Sequence, residues 1–539
     1  MNKTAKKITA FALAVAFMIT IVLAAACSCK RYKLDTFDYN AIEYQRPNYT
    51  ALDRAFEKAN KNVNGSAMTL VDALNDVSER LNEMSFMFSY LSIEYNKDTV
   101  RWRDDYLTLS AKYNEAFQKY YDLIYNILES DNSSLLNGWS EEDKEFIRSR
   151  HEVMSDEYVT LSNEIDGLIA EYNALQGEES AYAIAAAEIL IELVAKNNEL
   201  AVLEGYENYV DYAYESYYER DYTVEQVEEL CESFKTYLSP KLGEYADAGD
   251  GGTGQFFGIS ANDLDTGKAL VREYATEIGN YMTEAYDYME ECNLHYTATL
   301  SGNPYGYTGA FTTWLYGYEA PYMYQMCTGG YGDISTFVHE FGHFTAYYNL
   351  GNTGAGTLDI NEIQSQANEA LFMPYYKKMY SEASAAKIEK QELFKSIFWS
   401  VLMGCLFDEF QRELYLKPQI YNTPQSVNAL FDRLIAEYNA TAYIPRPQLR
   451  YWWAEVPHTF QSPFYYISYA VSQLPALIIY EDSISDRSAA IAEYNYIQNY
   501  GDGTYTFNTL LEKAGVKSPF EKETISSLAT FLDSRLLAA

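Results

Sequence analysis

The chain has 539 residues, 48% of them hydrophobic, enough for a large core and for one two-lobed enzyme or about three or four average domains. Its 77 acidic against 40 basic residues give a formal net charge of −37, which repels nucleic acid and anionic headgroups and argues against a nucleic-acid partner. The six cysteines form no CxxC pair, which sets aside thiolate-metal and disulfide-framework readings.

The N-terminus reads as an export signal. MNKTAKK is a basic leader, an apolar run follows over 8–26, and LAAAC places Cys27 where the cysteine of a bacterial lipobox stands. Residues 1–26 are therefore expected to be a lipoprotein signal peptide. Cys27 would be lipidated and anchor the protein on the extracellular face of the cytoplasmic membrane. The alternative is an uncleaved anchor, because the 8–26 run is just long enough to span a bilayer. Residues 27–65 are polar and read as a tether.

From Met68 the pattern becomes helical. Leu70, Leu74, Val77, Leu81, Met84 and Phe88 recur at steps of three and four, which predicts one apolar stripe along a long helix. Segments 141–175 and 181–206 behave alike, so 66–197 is expected to form an N-terminal helical lobe and 198–539 a catalytic domain. GDGGTGQFFG (249–258) satisfies the dinucleotide pattern GxGxxG through Gly249, Gly251 and Gly254. A helical stretch precedes it and no parallel-strand pattern surrounds it, so it reads as a surface loop.

HEFGH (339–343) carries the strongest chemical signal. Two histidines four apart lie on one helix face, so His339 and His343 can reach one tetrahedral Zn²⁺. Glu340 between them stands beside the metal, where a base must be to take a proton from water. A third protein ligand is required. The metzincin continuation is absent, since Ala346 and Asn349 occupy its Gly and His positions. Downstream, INEIQSQANEAL (360–371) offers Glu362 and Glu369 on one helix face. Glu362 is expected to be the ligand, and Glu369 to hold the N–H of a ligating imidazole from outside.

VHEFGH followed by NEIQSQANEAL resembles the oligoendopeptidase F and thimet oligopeptidase family of zinc metallopeptidases. TGAFTTWLYGYEAPYMYQMCTGGYGDISTFVHEFGH (308–343) is similar to that family's run from the substrate-edge strand into the zinc helix. NELAVLEGYENYVDYAY (198–214) looks like the segment that opens its catalytic domain. The resemblance implies a mainly α, two-lobed zincin-type oligopeptidase fold with a deep channel and a small β-sheet beside the zinc helix. It also implies one Zn²⁺ per chain and short peptides as substrates.

In the family a late histidine is followed by tyrosines that approach the substrate carbonyl. PHTFQSPFYYISYA (457–470) matches, with His458 as the histidine and Tyr466 and Tyr469 as donors. Tyr465 stands as the alternative to Tyr466 and is otherwise expected to touch substrate. The stretch 309–326, with Gly309, Ala310, Phe311 and Tyr322, is expected to bind the peptide backbone by β-addition. The resulting expectation is a zinc endopeptidase for short unstructured peptides outside the membrane. The alternative is a helical, aromatic-rich lipoprotein that captures peptides or glycans without catalysis. The sequence leaves the oligomeric state open.

Overall fold

The computed structural model describes residues 36–153, 156–177, 179–249, 261–354 and 356–537. The apolar run 8–26, Cys27 and the 249–258 loop beyond Gly249 lie outside them. Among the described residues no helix is long and apolar enough to cross a membrane. The chain divides into two compact units, 1–155 with 280–354 and 156–279 with 355–539. Neither coincides with the segments 66–197 and 198–539.

In the first unit, the Ser66 side chain accepts the Thr69 N–H and caps helix α1 (Ala67–Lys97). The expected stripe is present. Leu70, Val77, Leu81 and Met84 are buried, and Leu74 and Phe88 pack against the same core. Helix α2 (Arg103–Leu128) covers this face with Leu109, Phe117 and Ile124. Each such side chain contributes about 1.5–3 kcal/mol by leaving water.

The unit also holds a three-stranded sheet of β1 (His295–Thr299), β2 (Ala310–Leu315) and β3 (Ala320–Cys327), in the order β1-β3-β2. β3 pairs parallel with β1 and antiparallel with β2, and all eight of its residues are buried. A tight turn then leads into helix α3 (Gly332–Leu350), which packs on β2 and β3. Asp333 in its first turn accepts the N–H groups of Thr328 and Gly329 at 2.7 and 2.8 Å. That fixes the angle at which the helix leaves the sheet. Gly329 there has φ 93°, a conformation that glycine adopts without strain.

The second unit is helical. Helix α4 (Leu358–Phe372) packs along α6 (Ile467–Ser485), and α5 (Met403–Leu416) packs against α6 as well. α4 is unusual in burying Asp359, Glu362, Gln364, Ser365, Gln366 and Asn368. Neighbours satisfy several of them: Tyr274 Oη donates to the Asn368 side chain at 2.7 Å, and Tyr494 Oη to the Gln364 carbonyl at 2.9 Å. A buried polar helix costs stability unless its groups are bonded, so its polarity points to use. Cys292 and Cys327 in the first unit and Cys231 and Cys405 in the second are free thiols, all buried.

Candidate metal centre

His339 and His343 stand one turn apart on α3, their ring centroids 5.0 Å apart and nearly perpendicular. Both belong to the first unit, and Glu362, the expected third ligand, belongs to the second. Two imidazoles and a carboxylate are a donor set that suits zinc. Burial pushes the His343 pKa well below its ordinary value, and the neighbouring His339 adds to the effect. A neutral imidazole keeps its lone pair available, as a ligand must. Glu362 is only 8% exposed, and Ser365 Oγ lies 3.2 Å from its Oε2. Glu369 follows two turns later on the same face, half-buried.

Glu340 is only 6% exposed. Its carboxylate Oε2 accepts the hydroxyl of Thr312 at 2.8 Å, from the middle of β2. Trp314, two residues on and therefore on the same face of the strand, packs its ring 5.8 Å from Tyr347 of α3. Phe311 points the other way and stacks on Tyr324 at 5.0 Å. The strand that supports the base thus also packs against the helix that carries it.

His458 gathers the tyrosines expected of it. Its ring centroid lies 4.8 Å from Tyr465, 5.4 Å from Tyr466 and 6.5 Å from Tyr469. Burial depresses the His458 pKa, which keeps the ring neutral. Burial pushes the Tyr465 hydroxyl up to about 12, with the Glu362 carboxylate and other neighbours contributing. Tyr469 is raised further by burial, by Tyr465 and by Glu362. Both hydroxyls therefore stay protonated as donors at neutral pH. Tyr466 is raised by burial alone and lays its ring on Phe407 at 4.9 Å. The pair near Glu362 is thus Tyr465 with Tyr469, and Tyr466 packs behind them.

Residues 300–530 match peptidase family M3. The match covers less than half of the chain. A search of curated protein sequences returned no match. Among solved structures the fold is similar to that of PZ peptidase A (21% identity, TM-score 0.71, covering 93% of this chain and 99% of that one). It is also similar to an oligoendopeptidase F from Bacillus anthracis str. Ames (20% identity, TM-score 0.66, covering 94% and 98%). The helical architecture with one small sheet is the zincin-type oligopeptidase fold expected from the sequence. The matched segment contains both HEFGH and Glu362.

One expected substrate contact does not fit. Tyr322 is 1% exposed in the central strand, with neighbours on both sides and the Tyr39 ring 4.4 Å away. It is a core residue. A strand bonded on both edges has no groups left for an incoming peptide, whereas β2 pairs only with β3 among the described strands and packs beside Glu340. Gly309, Ala310 and Phe311 lie on or beside β2 and are partly exposed; the Gly309 carbonyl accepts the Met326 N–H at 3.0 Å. Sequence reasoning missed Thr312, although it lies within TGAFTTW. Its signal is a hydroxyl residue on the strand face that packs against the zinc-motif helix.

Proposed function

We propose that the chain is an M3-type zinc endopeptidase that cuts short, unstructured peptides while lipid-anchored through Cys27 on the outer face of the membrane. One observation carries the catalytic reading: two histidines one helical turn apart, with a buried glutamate between them held by a strand hydroxyl. Zinc, when bound by His339, His343 and Glu362, supplies Lewis acidity, lowering the pKa of water and polarising a carbonyl. Glu340 takes the proton of the attacking water on its carboxylate and passes it to the departing amine. Thr312 keeps that carboxylate aimed. His458, Tyr465 and Tyr469 donate hydrogen bonds to the carbonyl oxygen as its charge grows, and Glu369 holds the N–H of a ligating imidazole. The peptide backbone lies along β2, which selects for an extended chain rather than for particular side chains.

The test is metal analysis together with cleavage of a quenched fluorescent peptide. Glu340→Gln is expected to keep about one Zn²⁺ per chain and lose activity, and Glu362→Ala to lose both. Full zinc in Glu362→Ala would remove Glu362 from the ligand set. For location, Cys27→Ser is expected to abolish lipid labelling in cells. An unprocessed Met1 N-terminus in membranes would replace the lipid with a spanning anchor.

A further inference from the structure

We infer that Arg220 is a positioning residue of the peptidase site, setting the tyrosine donors in place and tying them to the helix that carries Glu362. The inference rests on the proposed role of Tyr465 and Tyr469. It begins from the backbone. The chain passes through a π-helical turn at Ala213–Tyr217, a geometry that frequently marks functional sites, and then presents Tyr218, Arg220 and Tyr222 in close succession. Each has a specific task.

Tyr218 Oη donates to the Pro463 carbonyl at 2.9 Å. Arg220 Nη2 donates to the Phe464 carbonyl at 2.6 Å and to Ser468 Oγ at 3.1 Å. From α5, Gln411 Oε1 accepts the Phe464 N–H at 2.8 Å. Phe464 has φ 66°, the left-handed region that a bulky residue enters only when its surroundings hold it there. Immediately after it come Tyr465, Tyr466 and the start of α6, so this one held residue sets where Tyr465 and Tyr469 point.

The same guanidinium reaches the other side of the site. Its Nε lies 3.9 Å from Asp359 Oδ2, and Tyr222 Oη donates to that oxygen at 3.1 Å. Asp359 occupies the first turn of α4, three residues before Glu362. The Arg220 guanidinium is sandwiched by the rings of Tyr214 and Tyr218, 4.6 and 4.4 Å from their centroids, and its side chain has no exposed surface. An ion pair at that separation does not repay the desolvation of a fully buried arginine, so stability alone is a poor reason for it. Nη2 alone makes hydrogen bonds, to two acceptors, while Nε faces Asp359 only as a charge; a planar guanidinium stacked on aromatic rings can do both at once, and lysine cannot.

The experiment compares Arg220→Lys, Tyr469→Phe and the double variant as full-length, zinc-loaded protein, with quenched-peptide kinetics and metal content. Arg220→Lys is expected to lower kcat about tenfold or more, with KM within about threefold and zinc retained. Added to Tyr469→Phe it should cost less than it costs alone, because part of its effect runs through the Tyr469 hydroxyl. A wild-type kcat for Arg220→Lys, or a loss that adds in full to that of Tyr469→Phe, overturns the inference while leaving the tyrosine reading intact. Full activity in Tyr469→Phe instead overturns that reading. If Arg220→Lys does not fold, Tyr218→Phe, which removes a single hydroxyl from the same turn, carries the same kcat-selective and non-additive expectations and the same refutations.

Discussion

Thr312→Val removes one hydroxyl and little else. Valine is nearly isosteric with threonine and favours strands, so β2 and its register should survive. What is lost is a hydroxyl 2.8 Å from the buried Glu340 Oε2 and 3.0 Å from the Glu340 backbone carbonyl, two acceptors for its one proton. Bonds to charged groups are worth about 1.5–3 kcal/mol, and 1.4 kcal/mol is a factor of ten. If the whole bond served to aim the carboxylate, kcat would fall by about 10- to 150-fold. Water or a rotamer change recovers part of this, so about tenfold is expected. KM should stay within about twofold and zinc content should not change, because Thr312 touches neither ligand nor peptide backbone through its side chain. Thr312→Ser keeps the hydroxyl and should keep most of the rate. Quenched-peptide kinetics on the three proteins decide the matter. A wild-type kcat for Thr312→Val, or an equal loss in Thr312→Ser, refutes the role given to the hydroxyl.

Three further outcomes are expected. Because burial holds the His343 pKa well below its unfolded value near 6.5, the unfolded metal-free chain binds a proton that the folded one refuses, so stability falls as pH drops through about 6.5; between pH 7.5 and 5.5 the chelator-treated wild type should lose more Tm than His343→Gln, and equal losses would remove His343 from the account. Unstructured peptides of roughly 5–20 residues should be cut and casein-sized chains spared, with a preference for basic peptides that fades over the salt range where charges are screened beyond about 10 Å; comparable rates on a large denatured protein would discard the length limit. Leu81→Ala, at a fully buried position of the α1 stripe, should destabilise the first unit by about 2–5 kcal/mol in urea titration, and a change under about 1 kcal/mol would mean the α1–α2 core does not hold that unit.

Much of the fold and of the metal centre is legible in the amino-acid sequence, and the exceptions have physical reasons. The α1 stripe is readable because a helix with one buried face writes its period into the chain. HEFGH and Glu362 are readable because ligand geometry forces residue types into fixed spacings. Tyr322 is misplaced by sequence reasoning because strand alternation does not tell an edge strand from a central one. The better signal is APYMYQMC itself, a nearly continuous apolar run with both faces covered. Tyr465 and Tyr466 are not distinguishable from spacing because the left-handed Phe464 resets the helical phase just before them. Arg220 meets Phe464 across 244 positions of chain, a pairing that no local pattern encodes.

The four buried thiols have a practical consequence. None is a proposed metal ligand, and their exposures run from 0 to 3%. In a protein whose Cys27 and Cys29 have been changed to serine, a water-soluble alkylating reagent would reach a sulfur only when the surrounding fold opens. Cys292 and Cys327 would then report one unit, and Cys231 and Cys405 the other. Timed labelling with peptide mapping would thus act as two clocks in one molecule. Equal rates would mean that the halves open as a single cooperative body, and unequal rates would say which gives way first.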